Sequence, residues 1–67
     1  MGYLLGSWKS VKGIHVMMGN RVFTLPKGSV VAVTQTDEDS QKVLIEMGPQ
    51  DSDWFFHTML DNFERCV

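Results

Sequence analysis

The chain of 67 residues has little cysteine and no long apolar run. Cys66 is the one cysteine, so no disulfide forms within the chain. No stretch approaches the roughly 20 consecutive apolar residues of a membrane-spanning helix. Residues 1–8 lack the positive start and the apolar core of a signal peptide. We therefore expect a cytoplasmic protein that does not associate with membranes.

Side chains suited to metal binding or catalysis are also sparse. His15, His57 and Cys66 are scattered along the chain without a ligand spacing such as Cys-x-x-Cys. The carboxylates cluster in polar segments between apolar runs, whereas acid–base catalysis needs a desolvated cleft that shifts a pKa. We expect no metal, no cofactor and no catalytic residue, and the sequence favours a protein that is not an enzyme.

Positive charge is scarce and is concentrated in the first half of the chain. Residues 1–36 hold four cations and no acid, whereas residues 37–67 hold eight acids and two cations, which gives the net charge of −2. The four cations of residues 1–36 are scattered and the chain as a whole is acidic, which argues against direct nucleic-acid binding. Two arrangements remain open: the two signs mix on the folded surface, or the surface is dipolar and docks a charged partner or stacks head to tail.

What the sequence does contain is a clear hairpin pattern from Ser29 to Met47. Two β-branched runs, residues 29–35 and 41–47, flank a polar turn at residues 36–40. Alternation places Val43, Ile45 and Met47 on the inner face of the second run. In the first run, either the odd-numbered or the even-numbered residues face inward.

Short alternating runs flank this hairpin on both sides. Residues 14–18 and 21–25 surround Gly19-Asn20, which suits a two-residue type II′ turn. After residues 54–57, Thr58 and Asp61 have the spacing of a capping box at the start of one helical turn.

This order of elements predicts an all-β fold. Closing the sheet hides edges that so short a chain cannot otherwise cover, so we expect a small antiparallel barrel. The barrel would have five or six strands and a single 3₁₀ turn before the last strand. We expect residues 1–10 to form a partly ordered N-terminal arm and residues 11–67 to form the barrel.

Two stretches resemble parts of SH3-like barrels. Phe23-Thr-Leu-Pro-Lys-Gly-Ser-Val-Val-Ala-Val33 is similar to the diverging turn and second strand of that fold, and residues 54–66 are similar to its penultimate strand, 3₁₀ turn and closing strand. The resemblance implies an SH3-like small β-barrel. Thr58-Met59-Leu60 replaces the Pro-Asn-Tyr of peptide-binding members, so recognition of Pro-rich peptides is not implied.

The closing segment, Leu60-Asp-Asn-Phe-Glu-Arg-Cys66, also resembles that of the type II dihydrofolate reductases, which are tetrameric enzymes with the same small barrel. Their pore is lined by a Val-Gln-Ile-Tyr run. The matching positions here read Asp53-Trp54-Phe55-Phe56 and lack the amide and the phenol, so that activity is not carried over.

Large apolar side chains point to a protein partner. A barrel this small has one interior, so alternation leaves some aromatic side chains of residues 54–57 on the outside. Exposed aromatic and Met side chains are typical of interfaces. The alternative is that the N-terminal arm covers them. The predicted partner-binding residues are Trp8, Met17, Trp54, Phe56 and His57.

Acidic side chains give a second hypothesis. Strings of carboxylates can imitate nucleic-acid phosphates and occupy a basic groove on another protein, although a solvated polar loop accounts for the same residues. The predicted acidic surface consists of Asp37, Glu38, Asp39, Asp51 and Asp53.

We therefore expect a non-enzymatic protein-binding module, with a homo-oligomer as one of its assemblies. Small acidic proteins of this kind resemble accessory proteins of phages and mobile elements that bind and inhibit a host protein. The alternatives are an acidic nucleic-acid mimic and an oligomeric enzyme whose site is built at a subunit interface.

Overall fold

The computed structural model describes residues 1–66 and contains seven strands and two short 3₁₀ turns. Every strand pair is antiparallel, which confirms the all-β antiparallel class. The strands are β1 Gly6–Ser10, β2 Ile14–Met18, β3 Arg21–Leu25, β4 Val30–Asp37, β5 Lys42–Gly48, β6 Asp51–Phe56 and β7 Phe63–Arg65; the 3₁₀ turns, η1 and η2, are Gly2–Leu4 and His57–Asn62.

The strands form two sheets rather than a closed barrel. Five strands pair in the order β6-β5-β4-β1-β7, and β2 and β3 form a separate two-stranded sheet. No ladder within residues 1–66 joins the two sheets, so the predicted closure of the barrel is wrong. The core is enclosed by packing one sheet over the other, because side chains from both sheets meet there.

The expected count of five or six strands is also wrong, because residues 6–10 form a strand. The Gly-Ser-Trp-Lys-Ser sequence of β1 has weak β propensity, which is why the sequence pattern assigns it to the N-terminal arm. β1 nevertheless lies between β4 and β7 and pairs with both. Pairing on two sides outweighs local propensity here.

The single 3₁₀ turn expected before the last strand is confirmed as η2, although it begins differently from the sequence pattern. It starts at His57, and no side chain of the described residues caps it. Thr58 is therefore inside the turn instead of preceding it, so the capping box is not formed. Within residues 1–66, no helix has the length and apolar character needed to cross a membrane.

The core lies between the two sheets and includes side chains from the central hairpin on one side. Val31 and Val33 are buried, so the odd-numbered residues face inward in the first half of β4. A register shift between Val33 and Gln35 then reverses the alternation, and Gln35 lies opposite the outward-facing Leu44. The inward placement of Val43 and Ile45 is confirmed, since both are almost fully enclosed. The remaining buried apolar residues are Val16, Met18, Leu60 and Phe63.

Ser10 is the one buried polar side chain among the described residues, and it holds the turn before β4. Its hydroxyl donates to the Pro26 carbonyl oxygen at 2.9 Å and accepts from the Ser29 N–H at 3.0 Å. The Gly28 N–H donates to the Ser10 carbonyl at 2.8 Å. These bonds fix the end of β1 against the start of β4.

Arg65 ties the first residues of the chain to the last strand. Its guanidinium donates to the carbonyl oxygens of Tyr3 and Leu5, the latter at 2.5 Å, and lies 4.6 Å from the ring centroid of Trp8. The Trp8 indole N–H donates to the Leu4 carbonyl at 2.9 Å. Residues 3–5 are therefore held close to the sheet.

Candidate docking face

The outer face of β5 and β6 carries apolar side chains in register. Lys42 lies opposite Phe56, and Leu44 lies opposite Trp54. Because side chains alternate across a strand, these four project away from the core that Val43 and Phe55 help to form. We call the set Lys42, Leu44, Trp54 and Phe56 the aromatic face.

Two aromatic rings of this face are open to solvent. Phe56 is 62% exposed and Trp54 is 40% exposed. The Lys42 ammonium lies 5.2 Å from the centroid of the Phe56 ring, a cation–π distance. Adjacent aromatic rings with a cation at one edge offer both apolar area and orientation to a bound protein.

A shallow pocket of about 440 Å³ continues the aromatic face towards η2. The Asn62 side-chain amide donates to the Met59 carbonyl at 3.1 Å, which fixes the far wall of this pocket. The lining residues are Lys42, Trp54, Phe55, Phe56, Thr58, Met59 and Asn62.

Asp53 positions the strand that carries both rings. Its carboxylate accepts from the Trp54 N–H at 2.8 Å and from the Gly19 N–H at 3.1 Å. These two backbone hydrogen bonds, that from Gly19 first, stabilise the charged form and lower the pKa of Asp53 below its ordinary value. The carboxylate thereby joins the turn between β2 and β3 to β6.

The hydrogen bond from the Trp54 N–H to Asp53 also limits how a further strand could pair with the outer edge of β6. The His57 N–H donates to the Gln41 carbonyl at 2.9 Å. This bond identifies which residues of β6 direct their backbone groups towards β5, because every second residue of an antiparallel strand does so. The backbone groups of Phe55 then face β5, and those of Trp54 and Phe56 face away from it. Since Asp53 occupies the Trp54 N–H, the side chains of the aromatic face offer more to a partner than the strand edge does.

The structure brings together some of the predicted partner-binding residues and separates others. Trp54 and Phe56 share the aromatic face, and the exposed His57 follows them as the first residue of η2. Met17 is exposed on the other sheet, opposite Val22. Trp8 is half-buried beneath Arg65 and packs against the core.

Lys42, Leu44 and Met59 belong to this site but were not among the predicted partner-binding residues. Alternation along β5 placed Lys42 and Leu44 outward, which is the signal that identifies them. Nothing in the sequence indicated that Met59 of η2 would lie beside Phe56.

The predicted acidic residues fall into two groups at opposite ends of β5. Asp37 accepts from the Asp39 and Ser40 N–H groups within its own turn, at 3.1 and 3.4 Å. Glu38 lies 2.5 Å from the Met1 ammonium, whose hydrogen bond and charge lower the pKa of Glu38.

The second group lies at the start of β6. Asp51 pairs with Arg21 at 3.4 Å, and Asp53 holds the Gly19 turn. The two groups therefore do not form one continuous stripe. In the part of the chain that the structure describes, no three His, Cys, Asp or Glu side chains lie together as a metal site would require.

Comparisons with known proteins identify no relative of this chain. No family model matches the chain, and neither a curated protein nor a solved structure matches it significantly.

Proposed function

We propose that this protein is a non-enzymatic binding module that docks a protein partner on its aromatic face. One observation carries the proposal: Trp54 and Phe56 lie side by side on the outer surface, with Leu44 and the pocket beside η2 continuing the apolar area. Leaving such rings in water forgoes about 25 cal/mol for each Å² of apolar surface that burial would remove from solvent. A partner recovers that free energy.

The composition of the face supports a protein partner over a small molecule. Aromatic residues and Met are enriched at the centres of protein interfaces, where a few of them contribute most of the binding free energy. The pocket is open to solvent, whereas a small-molecule site encloses most of its ligand. An open pocket beside two exposed rings fits a protein surface bearing a projecting side chain.

We also infer an SH3-like arrangement of the strands, without closure into a barrel. Supporting it are the early β2–β3 hairpin, the 3₁₀ turn η2 between the last two strands, and the return of β7 to pair with β1. A phage or mobile-element origin and a host protein as the partner remain predictions from the sequence.

Paired surface variants test the proposal. Phe56→Ser removes the most exposed ring of the aromatic face, and Met17→Ser removes a side chain of similar exposure, 65%, on the other sheet. Proteins captured from a cell lysate by the wild-type chain should also be captured by Met17→Ser and should be lost with Phe56→Ser. Equal capture by both variants would show that the aromatic face is not the docking site.

A further inference from the structure

A groove with a net positive charge lies where β1 ends and β4 begins. Ser10 holds the surrounding backbone through the Pro26, Gly28 and Ser29 hydrogen bonds described above, so the groove is formed before anything binds. Its volume is about 560 Å³, and its lining residues are Lys9, Ser10, Val11, Lys27, Gly28 and Glu64. We call this set the basic groove.

The charges and apolar area of the basic groove are accessible to solvent. Lys9 and Glu64 form an ion pair at 3.4 Å, and their side chains are 48% and 57% exposed. Lys27 is exposed in the turn, and Val11 adds an exposed apolar side chain. Two lysines against one glutamate leave the groove with a charge of +1.

An acidic turn lies at the opposite end of β4. β4 is eight residues long, so the basic groove and the turn after Asp37 are separated by roughly 23 Å along the strand. Asp37, Glu38 and Asp39 follow one another here and carry a charge of −3. We call these three residues the acidic turn. The Met1 ammonium, 2.5 Å from Glu38, leaves a net charge of −2 at this end.

The acidic turn is internally braced by Asp37, and Glu38 is paired with the Met1 ammonium at 2.5 Å. Asp37 directs its carboxylate to the N–H groups of the turn itself, and the Gln41 side-chain amide donates to the Glu38 carbonyl at 2.6 Å. The side chains of Glu38 and Asp39 remain exposed. A braced hairpin tip loses little conformational entropy on docking.

We propose that the acidic turn of one copy of the chain docks into the basic groove of a second copy. The charges are complementary, −2 against +1 once the Met1 ammonium beside Glu38 is counted, and every copy presents one of each at opposite ends of β4. Because the two surfaces differ, the contact is head to tail and generates a ring or an open chain of subunits. This inference does not depend on the aromatic face.

Electrostatics dictate how such an assembly behaves. Exposed ion pairs each contribute about 0–1 kcal/mol and weaken as salt rises. Val11 adds apolar area at the groove, but the contact remains weak. The assembly should therefore form at high protein concentration in low salt and dissociate when salt is added.

The first experiment measures mass by light scattering while protein concentration and salt are varied. The wild-type chain at about 1 mM in about 20 mM salt should show an average mass above that of the monomer, which falls to the monomer value in about 500 mM salt. A monomer under both conditions overturns the proposal. An assembly that salt does not weaken overturns it as well.

Charge exchange then identifies the surfaces. Glu38→Lys with Asp39→Lys changes the acidic turn to +1, and Lys9→Gln with Lys27→Glu changes the basic groove to −2. Each double variant alone carries two ends of like sign and should be monomeric. Mixing the two variants restores opposite charges at every contact, so assembly should return.

A matched control distinguishes the effect of where the charges lie from the effect of the total net charge. Glu46→Lys with Asp61→Lys makes the same change in net charge as the acidic-turn variant but lies elsewhere, and it should assemble like the wild type. Circular dichroism melting of each variant establishes that it is folded before its mass is measured.

Three outcomes would reject head-to-tail docking. One is assembly of the acidic-turn variant by itself at the wild-type level. Another is failure of the mixed variants to reassociate, which would assign the acidic turn to a different contact or to a basic partner protein. The third is loss of assembly in the Glu46/Asp61 control, which would attribute association to net charge alone.

Discussion

Lys42 and Phe56 lie directly opposite each other on β5 and β6, and the Lys42 ammonium is 5.2 Å from the centroid of the Phe56 ring. The pair lies on the solvent side of the sheet, whereas the next pair along the strands, Val43 and Phe55, faces the core. Two adjacent phenylalanines of one strand therefore have different surroundings. Phe55 packs against the core, and Phe56 is exposed to solvent.

Alanine substitution of these two residues should distinguish their surroundings. Phe56→Ala removes an exposed ring and one exposed cation–π contact, so it should lower the free energy of unfolding by no more than about 1 kcal/mol. Phe55→Ala leaves a gap beside Val43 and should cost on the order of 3 kcal/mol. Urea denaturation followed by circular dichroism measures both, and equal costs would contradict the assigned faces.

Ser10→Ala should destabilise the chain by about 0.5–1.5 kcal/mol, because it removes both hydrogen bonds of the buried hydroxyl, while the Pro26 carbonyl still accepts from the hydroxyl and the N–H of Ser29. Ser7→Ala, on the same strand but exposed, is the control and should change stability by less than about 0.5 kcal/mol. Thermal melts of the two variants compare them directly. A Ser10 variant as stable as the Ser7 variant would show that the turn does not need this hydroxyl.

Arg65→Lys should loosen residues 3–5 while leaving the sheet intact. A single ammonium cannot reproduce the planar fork that reaches the Tyr3 and Leu5 carbonyls while stacking on Trp8. Amide hydrogen exchange at Leu4 and Leu5 should become faster, and Trp8 should become more accessible to a fluorescence quencher. Arg21→Lys, at the Phe23 ring, is the control and should leave those amides unchanged.

Protonation of Asp53 should make the protein less stable in acid. Its folded-state pKa is lowered by the Gly19 and Trp54 N–H donors, so the unfolded chain takes up a proton at a higher pH than the folded chain does. The resulting stabilisation is complete above the unfolded pKa of about 4 and is lost as pH falls through the lower folded value. The urea midpoint should therefore fall less between neutral pH and pH of about 3 in Asp53→Asn than in the wild type. Identical falls would exclude this role.

The local patterns of the sequence predicted part of this fold correctly because they reflect local chemistry. Alternation in residues 41–47 fixed which side chains are buried, and Gly19, with a φ of +57°, occupies the two-residue turn between β2 and β3 that its position predicted. The 3₁₀ turn before β7 followed from the short spacing between two strand patterns.

The remaining features depend on long-range contacts that no local pattern records. β1 is a strand because β4 and β7 pair with it on either side, and its own Gly and Ser residues do not favour that conformation. The open arrangement of the two sheets depends on how they pack around a shared core, to which Val16 contributes from one sheet and Ile45 from the other. Alternation in residues 54–57 separated the two sets of aromatic side chains but did not reveal that η2 would add Met59 to a pocket beside Phe56.

The most direct test of the aromatic face is site-specific photocrosslinking. Benzoylphenylalanine in place of Phe56 preserves most of the ring, and the same group in place of Met17 controls for exposure. The docking account predicts that the Phe56-site probe crosslinks a discrete protein partner and that the Met17-site probe does not. Crosslinking from the Met17 site alone, or from neither site, would contradict it.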